Sequence, residues 1–223
     1  MERKRHIRIA LAATALISLL PMLGFAQAKK LANPGTAMRA IQDLDAMLND
    51  FRTGKLSEED KAFNAKLKKK IIGGTFDIRE LTKLAMASHW NEINDAQRDH
   101  LVNLMVALIE ERALLSKEQS AAKSKGGGKY RVMYKSEKYS NPEKTRAFVR
   151  TVVVIPSENI DLGLNYRLKK ADNTWKVYDI IVDEASLIDN YRYQFHSIIA
   201  KNGYQELVNR IEKKLNEIKS ERK

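Results

Sequence analysis

The chain has 223 residues, with 40 Lys and Arg against 28 Asp and Glu, a formal charge of +12 and no Cys. The missing Cys excludes disulfides, thiolate metal centres, Cys nucleophiles and a Cys-linked lipid anchor. The positive excess suits an anionic membrane surface better than nucleic acid, because the cations are scattered among acids and form no Lys/Arg stripe with interleaved aromatics.

The first 28 residues read as a secretory leader. Arg3, Lys4, Arg5 and Arg8 make a basic start, Ile9 to Phe25 an apolar run broken by Pro21 and Gly24, and Ala26-Gln27-Ala28 a cleavage site. The run is short for a membrane-spanning helix, and there is no twin Arg, so general secretion to the periplasm is expected. Cleavage after Ala28 leaves residues 29–223 as a single two-lobed domain. Its expected parts are a helical region over 33–115, a sheet over 130–183 and C-terminal helices over 186–219.

After Pro34, Met38, Ile41, Leu44 and Leu48 recur at helical spacing. Ser57 and Asp60 form a capping box ahead of Phe63, Leu67 and Ile71, and Gly73-Gly74 is expected to stop that helix. Thr75 is expected to cap the next one, which carries Phe76, Leu81, Leu84 and Ala85. Asn94 or Asp95 starts a fourth, with Leu101, Leu104, Met105, Leu108 and Ile109 on one side. Ser116 to Lys129, ending in Gly126-Gly127-Gly128, reads as a loop. It lacks the G-x-x-x-x-G-K-[ST] spacing of a phosphate cradle.

Four strand-like segments follow: Tyr130–Tyr139, Thr145–Ile155, Ile160–Lys169 and Trp175–Asp183. In the third, Ile160, Leu162, Leu164, Tyr166 and Leu168 alternate with Asp161, Gly163, Asn165, Arg167 and Lys169. With polar turns at Asn141-Pro142, Ser157-Glu158-Asn159 and Ala171-Asp172-Asn173, this predicts a four-stranded antiparallel meander with one buried face. Ser186 and Asp189 form a second capping box, before a helix with Ile188, Tyr191, Phe195 and Ile198 on one face. Gly203 separates it from a last helix carrying Tyr204, Leu207, Val208, Ile211, Leu215 and Ile218. The class is α+β, with several helices packed on the sheet. The apolar helical surface exceeds what a thin sheet needs, which points to an apolar cavity between sheet and helices.

Catalytic signals are sparse. His6 falls in the leader, and His89, His100 and His196 show no ligand spacing. There is no G-x-S-x-G. Asp179 and Asp183 share a strand face by period two, as paired carboxylates or as hydrogen-bonding partners of turn and helix groups. Tyr134, Tyr166, Tyr178, Tyr191 and Tyr193 suit either a pocket rim or plain packing.

The stretch Phe76 to Trp90, FDIRELTKLAMASHW, resembles the F-D-x-x-E-L-x-x-x-x-L-x-x-H-W region of MlaC-type proteins, the toluene-tolerance family. Asn94-Asp95-Ala96-Gln97-Arg98 resembles its S-P-E-Q helix start, and Val149-Arg150-Thr151 and Tyr166-Arg167-Leu168 fit its strands. Trp175-Lys176-Val177-Tyr178-Asp179, Ser186-Leu187, Asn190-Tyr191-Arg192, Gln194-Phe195 and Gly203-Tyr204 follow its later signature. Glu184-Ala185 departs from it, standing where the pattern has Gly-Val. The resemblance spans about residues 37–215 and implies a nuclear-transport-factor-2-like body plus a helical lobe. It also implies a soluble periplasmic phospholipid carrier without enzymatic activity or cofactor, the phospholipid being cargo. The implied partners are an inner-membrane ABC transporter with an MCE-domain ring and an outer-membrane lipoprotein–porin complex, and the implied role is upkeep of outer-membrane lipid asymmetry. On this reading the pocket wall is Val149, Leu162, Leu164, Tyr166 and Val177. The lids are Phe76, Leu81, Leu84, Leu104, Leu108, Tyr191 and Phe195. A carrier of another lipid, such as a hopanoid, or a small-molecule enzyme using Asp179 or Tyr166 on the same sheet, are the alternatives.

Overall fold

The computed structural model describes residues 31–123, 131–156 and 159–220. The expected leader over 1–28 and the Gly126-Gly127-Gly128 segment lie outside the described residues. β-branched and aromatic runs form an antiparallel sheet in simple meander order: β1 (Arg131–Tyr139), β2 (Arg146–Ile155), β3 (Ile160–Ala171), β4 (Thr174–Val182) and the two-residue β5 (Ala185–Ser186). The four expected strands are present, and the fifth is an addition. It arises because Asp183 (φ 43°) and Glu184 (φ 72°) both take left-handed backbone, which folds a tight hairpin back onto Ile181 and Val182. Asp172 (φ 47°) and Asn173 (φ 60°) do the same between β3 and β4.

Register decides which side chains meet. Val149 lies opposite Tyr166, Thr151 opposite Leu164, Val153 opposite Leu162 and Leu168 opposite Val177. These pairs make one continuous inner face, and all eight residues are buried. Tyr178 is an extra residue in β4, since Arg167 pairs with Asp179 and Leu168 with Val177. The bulge turns the Asp179 carboxylate to the outer side of the sheet beside Arg167.

Helix α1 (Ala37–Asn49) is capped by the Thr36 hydroxyl, which accepts the Arg39 N–H at 3.2 Å. Three polar contacts latch it and its approach segment to the sheet. The Trp175 indole donates to the Gly35 carbonyl at 2.9 Å, the Met38 N–H to Glu137 at 2.6 Å and the Tyr134 hydroxyl to Asp45 at 2.6 Å.

Helix α2 (Glu58–Thr75) starts on the expected Ser57–Asp60 box with both reciprocal bonds formed. It does not stop at Gly73-Gly74. The ladder runs through both glycines to the Phe76 N–H, because Ile71, Ile72 and Thr75 are buried around them. Phe63 also departs from its expected place. It is 38% exposed and lies under the Arg52 guanidinium at 4.2 Å, while Asn64, Leu67 and Lys68 take the buried stripe.

Thr75 therefore belongs to α2, and Asp77 caps α3 (Ile78–Met86) by accepting the Glu80 N–H at 2.7 Å. A 3₁₀ turn over Ala87–Asn91 leads to α4 (Asp95–Lys123). Asn94 and Gln97 exchange side-chain bonds with each other's N–H at its start. The expected loop from Ser116 is overturned as far as Lys123, since α4 continues through those residues. Helix α5 (Leu187–Ser220) changes direction at Gly203, whose φ 81° and ψ 171° are open essentially only to Gly. No helix among the described residues is long and apolar enough to cross a membrane.

Candidate functional site

The twelve residues expected to form a pocket all belong to, or pack against, one apolar core cluster. Val149, Leu162, Leu164, Tyr166 and Val177 are buried on the inner face of the sheet, Val149 and Val177 completely. Leu81 of α3, Leu108 of α4 and Tyr191 and Phe195 of α5 belong to the same apolar cluster. Phe76, Leu84 and Leu104 are half-buried against it, so these three lie where the apolar layer reaches solvent. Tyr191 and Phe195 are one turn apart, with ring centroids 5.5 Å apart in a tilted pair. The layer also holds Leu101, Met105, Leu168, Leu187 and Ile188, which the pocket expectation omitted. Leu101, Met105, Leu168 and Ile188 were already visible as members of the periodic stripes.

Local geometry sets the helical side of this layer at defined points. Phe76 makes a parallel bridge to Val177, and the Asp77 N–H donates to the Val177 carbonyl at 2.8 Å. This fixes the α2–α3 junction on the β4 edge. Arg192 donates to the Leu84 carbonyl at 3.2 Å, tying α5 to α3, and the Tyr204 hydroxyl donates to the Gln97 carbonyl at 2.9 Å, tying α5 to α4. Thr151, the one hydroxyl on the inner-face stretch of β2, donates to the Leu164 carbonyl. A buried hydroxyl without such a partner costs about 1–3 kcal/mol, so this bond keeps the face effectively apolar.

The titratable candidates do structural work. Asp179 is fully buried and accepts from the Ser186 hydroxyl at 2.8 Å, the Ile188 N–H at 3.1 Å and Arg167 at 2.9 Å. Burial pushes its carboxyl pKa up, against the opposing pull of those three donors. The Ser186–Asp189 box is thus only half of what was expected. The Asp189 N–H reaches the Ser186 hydroxyl at 3.2 Å, but the Asp189 carboxylate pairs with Arg192 at 2.6 Å and Asp179 supplies the second cap. Asp183 accepts the Gly163 N–H at 2.9 Å, so the two strand carboxylates serve turn and helix groups rather than each other. Of the tyrosines, Tyr166, Tyr178 and Tyr191 are buried, Tyr134 is half-buried and Tyr193 is 79% exposed.

A separate charged cleft of about 280 Å³ lies beside α3. Arg79 and Arg98 stand over the Trp90 ring at 5.7 and 5.6 Å, and pair with Asp99 and Asp95. Lys169 bridges Asp77 at 2.9 Å and Glu80 at 3.1 Å. Burial works against the Lys169 charge, but the two carboxylates outweigh it and its pKa rises. His89 and His196 are in contact through Nε2 and Nδ1 at 3.1 Å, with Glu92 on the other His89 nitrogen at 2.7 Å. No periodic signal could reveal that pair, since 107 residues separate its members. Among the described residues no group of three or more His, Cys, Asp or Glu could hold a metal ion.

The family model described as MlaC protein matches residues 42–213. No curated protein matches the chain. Among solved structures it is similar to a phospholipid-binding protein from Ralstonia solanacearum, determined in complex with a phospholipid. The two are 22% identical, cover 80% of this chain and 94% of that one, and superpose with a TM-score of 0.59, which establishes a shared α+β fold.

Proposed function

Because the chain belongs to the MlaC family, we propose that it binds a phospholipid and carries it through the periplasm, a transport role rather than catalysis. The endpoints of the shuttle are an outer-membrane lipoprotein–porin complex and an inner-membrane MCE-domain ABC transporter, and the traffic supports outer-membrane lipid asymmetry. A cleaved leader over residues 1–28 delivers the chain to that compartment. ATP coupling belongs to the transporter.

The observation that carries this reading is one continuous apolar cluster that holds the sheet's inner-face residues together with residues of α3, α4 and α5. The acyl chains insert there, between Leu162, Leu164 and Tyr166 on one side and Leu81, Leu108, Tyr191 and Phe195 on the other. Phe76, Leu84 and Leu104 mark the entrance. The energetics fit such a site. At about 0.8 kcal/mol per CH₂, a sixteen-carbon chain left in water costs on the order of 12 kcal/mol. A carrier must offset that with apolar contacts, and it must match the membrane closely enough to unload again. An enzyme built on Asp179 is disfavoured, because the three bonds from Ser186, Ile188 and Arg167 already occupy its carboxylate.

The test is to recover the exported protein from a bacterial periplasm, extract it with solvent and identify the bound lipid by mass spectrometry. Phospholipid is expected in the native protein. It is expected to be lost from Leu164→Arg and Leu108→Arg, and from the half-buried Leu84→Arg, which perturbs packing less. Native protein free of lipid, and unable to take it from vesicles, overturns the carrier reading. A hopanoid in the extract replaces the cargo while keeping the carrier. Unchanged lipid content in all three variants removes the pocket assignment.

A further inference from the structure

The outer face of β1–β3 carries an arrangement that the apolar layer does not use. On that face Met133 lies opposite Val152, Arg131 opposite Val154, Lys138 opposite Phe148 and Arg150 opposite Asn165. Met133, Phe148, Val152 and Val154 are half-buried and stand outside the core. Arg131, Lys138 and Arg150 surround them and are exposed, as is Lys135, whose ammonium lies 3.8 Å from the Met133 sulfur. Other cations of the same face are neutralised in place. Arg167 pairs with Asp179, Arg146 with Glu80 and Lys169 with Asp77 and Glu80. Among the described residues, Arg131, Lys135, Lys138 and Arg150 pair with no carboxylate. Among the described residues of this face of β1–β3, the acid alongside them is the exposed Asp161, opposite Val154.

We propose that this outer face of β1–β3 is the surface by which the protein rests on an anionic phospholipid bilayer. Arg131, Lys135, Lys138 and Arg150 sit over lipid phosphates, and Phe148, Val152 and Val154 face the headgroup boundary. Long cationic side chains rimming a modest apolar strip can lay their stems on it and extend their charges into the phosphate plane. Among its described residues the face is predominantly cationic, four cations against the one acid Asp161, and its apolar strip is shallow and lacks a deep central pocket. A diffuse anionic plane complements it better than a shaped acidic pocket. The proposal rests on the phospholipid-carrier reading and adds that the carrier meets the bilayer with the sheet face opposite Leu162, Leu164 and Tyr166.

Protein recovered from the periplasm is sedimented with vesicles of phosphatidylcholine alone or mixed with phosphatidylglycerol. Binding is expected only to the mixed vesicles and is expected to weaken with added salt. Lys138→Glu with Arg150→Glu should weaken it on the order of 25-fold or more, about fivefold for each lost cation. Lys201→Glu with Lys213→Glu, an equal change of charge on α5, should weaken it far less. Thermal melting checks that all variants stay folded, as expected for exposed positions. Equal loss in the two double variants overturns the assignment, since net charge alone then governs binding. Absence of binding to anionic vesicles also overturns it, and if the protein still carries lipid the carrier reading survives while the face is left to an acidic protein partner. Vesicle binding by protein that never holds lipid removes the carrier reading instead.

Discussion

Replacing Glu184 by Gly should stabilise the protein. Glu184 holds φ 72° in the tight turn between β4 and β5, at the position where the MlaC pattern has Gly. Left-handed backbone costs a side chain with a Cβ about 1–2 kcal/mol, and Gly escapes this. Gly also enlarges the entropy of the unfolded chain and returns about 0.4–1 kcal/mol of that gain. The net is a stabilisation of about 0.5–1 kcal/mol. For a chain of this size it should raise the Tm by about 1–4 °C. Asp183, its neighbour at φ 43°, supplies the contrast. Asp183→Gly relieves similar backbone strain but removes the carboxylate that accepts the Gly163 N–H at 2.9 Å. Aspartate also tolerates left-handed backbone better than glutamate does. The loss of that bond, about 1 kcal/mol or more, should make this variant less stable than the native protein. Urea unfolding followed by circular dichroism measures both, with an unchanged slope confirming that the folded state is the same. A Glu184→Gly protein that melts below the native one, or two variants shifting alike, would refute the account of this turn.

Two aspartates should give opposite pH slopes. The Ser57 hydroxyl and N–H and the Arg52 guanidinium hold Asp60 down to about 2, so its contribution is complete above its ordinary 3.8 and fades as pH falls through about 2. Asp60→Asn should flatten acid unfolding over that interval. Burial instead raises the pKa of Asp179, so folding favours its protonated form and stability declines as pH rises from the ordinary aspartate value through the raised one. Asp179→Asn should remove that decline, as read from urea midpoints at a series of pH values. Asp179→Ala, which leaves the buried Ser186 hydroxyl and the Ile188 N–H without their acceptor while the half-exposed Arg167 turns to water, should cost about 1–3 kcal/mol in the same unfolding assay. Gly203→Ala should cost about 1–3 kcal/mol of unfolding free energy from backbone strain alone, because a methyl there meets no atom within 4 Å.

The meander and most helix starts were legible because each depends on near neighbours. Period-two alternation placed β3, and the Ser57–Asp60 pair opened α2 where expected. What escaped depended on distant partners. Two adjacent glycines normally end a helix, but each costs only about 1 kcal/mol, and burial of Ile71, Ile72 and Thr75 outweighs that. Lys176, from β4, then donates to the Gly74 carbonyl at the helix end, a cap supplied from 102 residues away. Phe63 fitted the apolar stripe by spacing, yet the stacked Arg52 guanidinium holds it at the surface. The polar run from Ser116 resembled a loop, although its Ala, Lys, Glu and Gln are good helix formers and α4 continues through Lys123. Most residues expected at the candidate site lie on strand or helix stripes, whereas Phe76 lies in the link between α2 and α3. The polar fastening of the site was not legible. The role of Asp179 requires a bulge at Tyr178 that no local pattern announces.

That meander puts β1 at the edge of the sheet, and among the described residues no strand pairs with its outer side, which leaves a row of backbone donors and acceptors there. The register jump between Tyr134 and Ser136 interrupts that row at its middle, and Lys135, the residue thrown out by the jump, puts a positive charge there. Arg131 and Lys138 stand near the two ends of the strand. An approaching strand would find no run of matched partners and would bring like charges together when it came from another copy of the same molecule. A protein rich in buried β-branched sequence is thereby guarded against edge-to-edge polymerisation, and the guard is one extra lysine in a nine-residue strand.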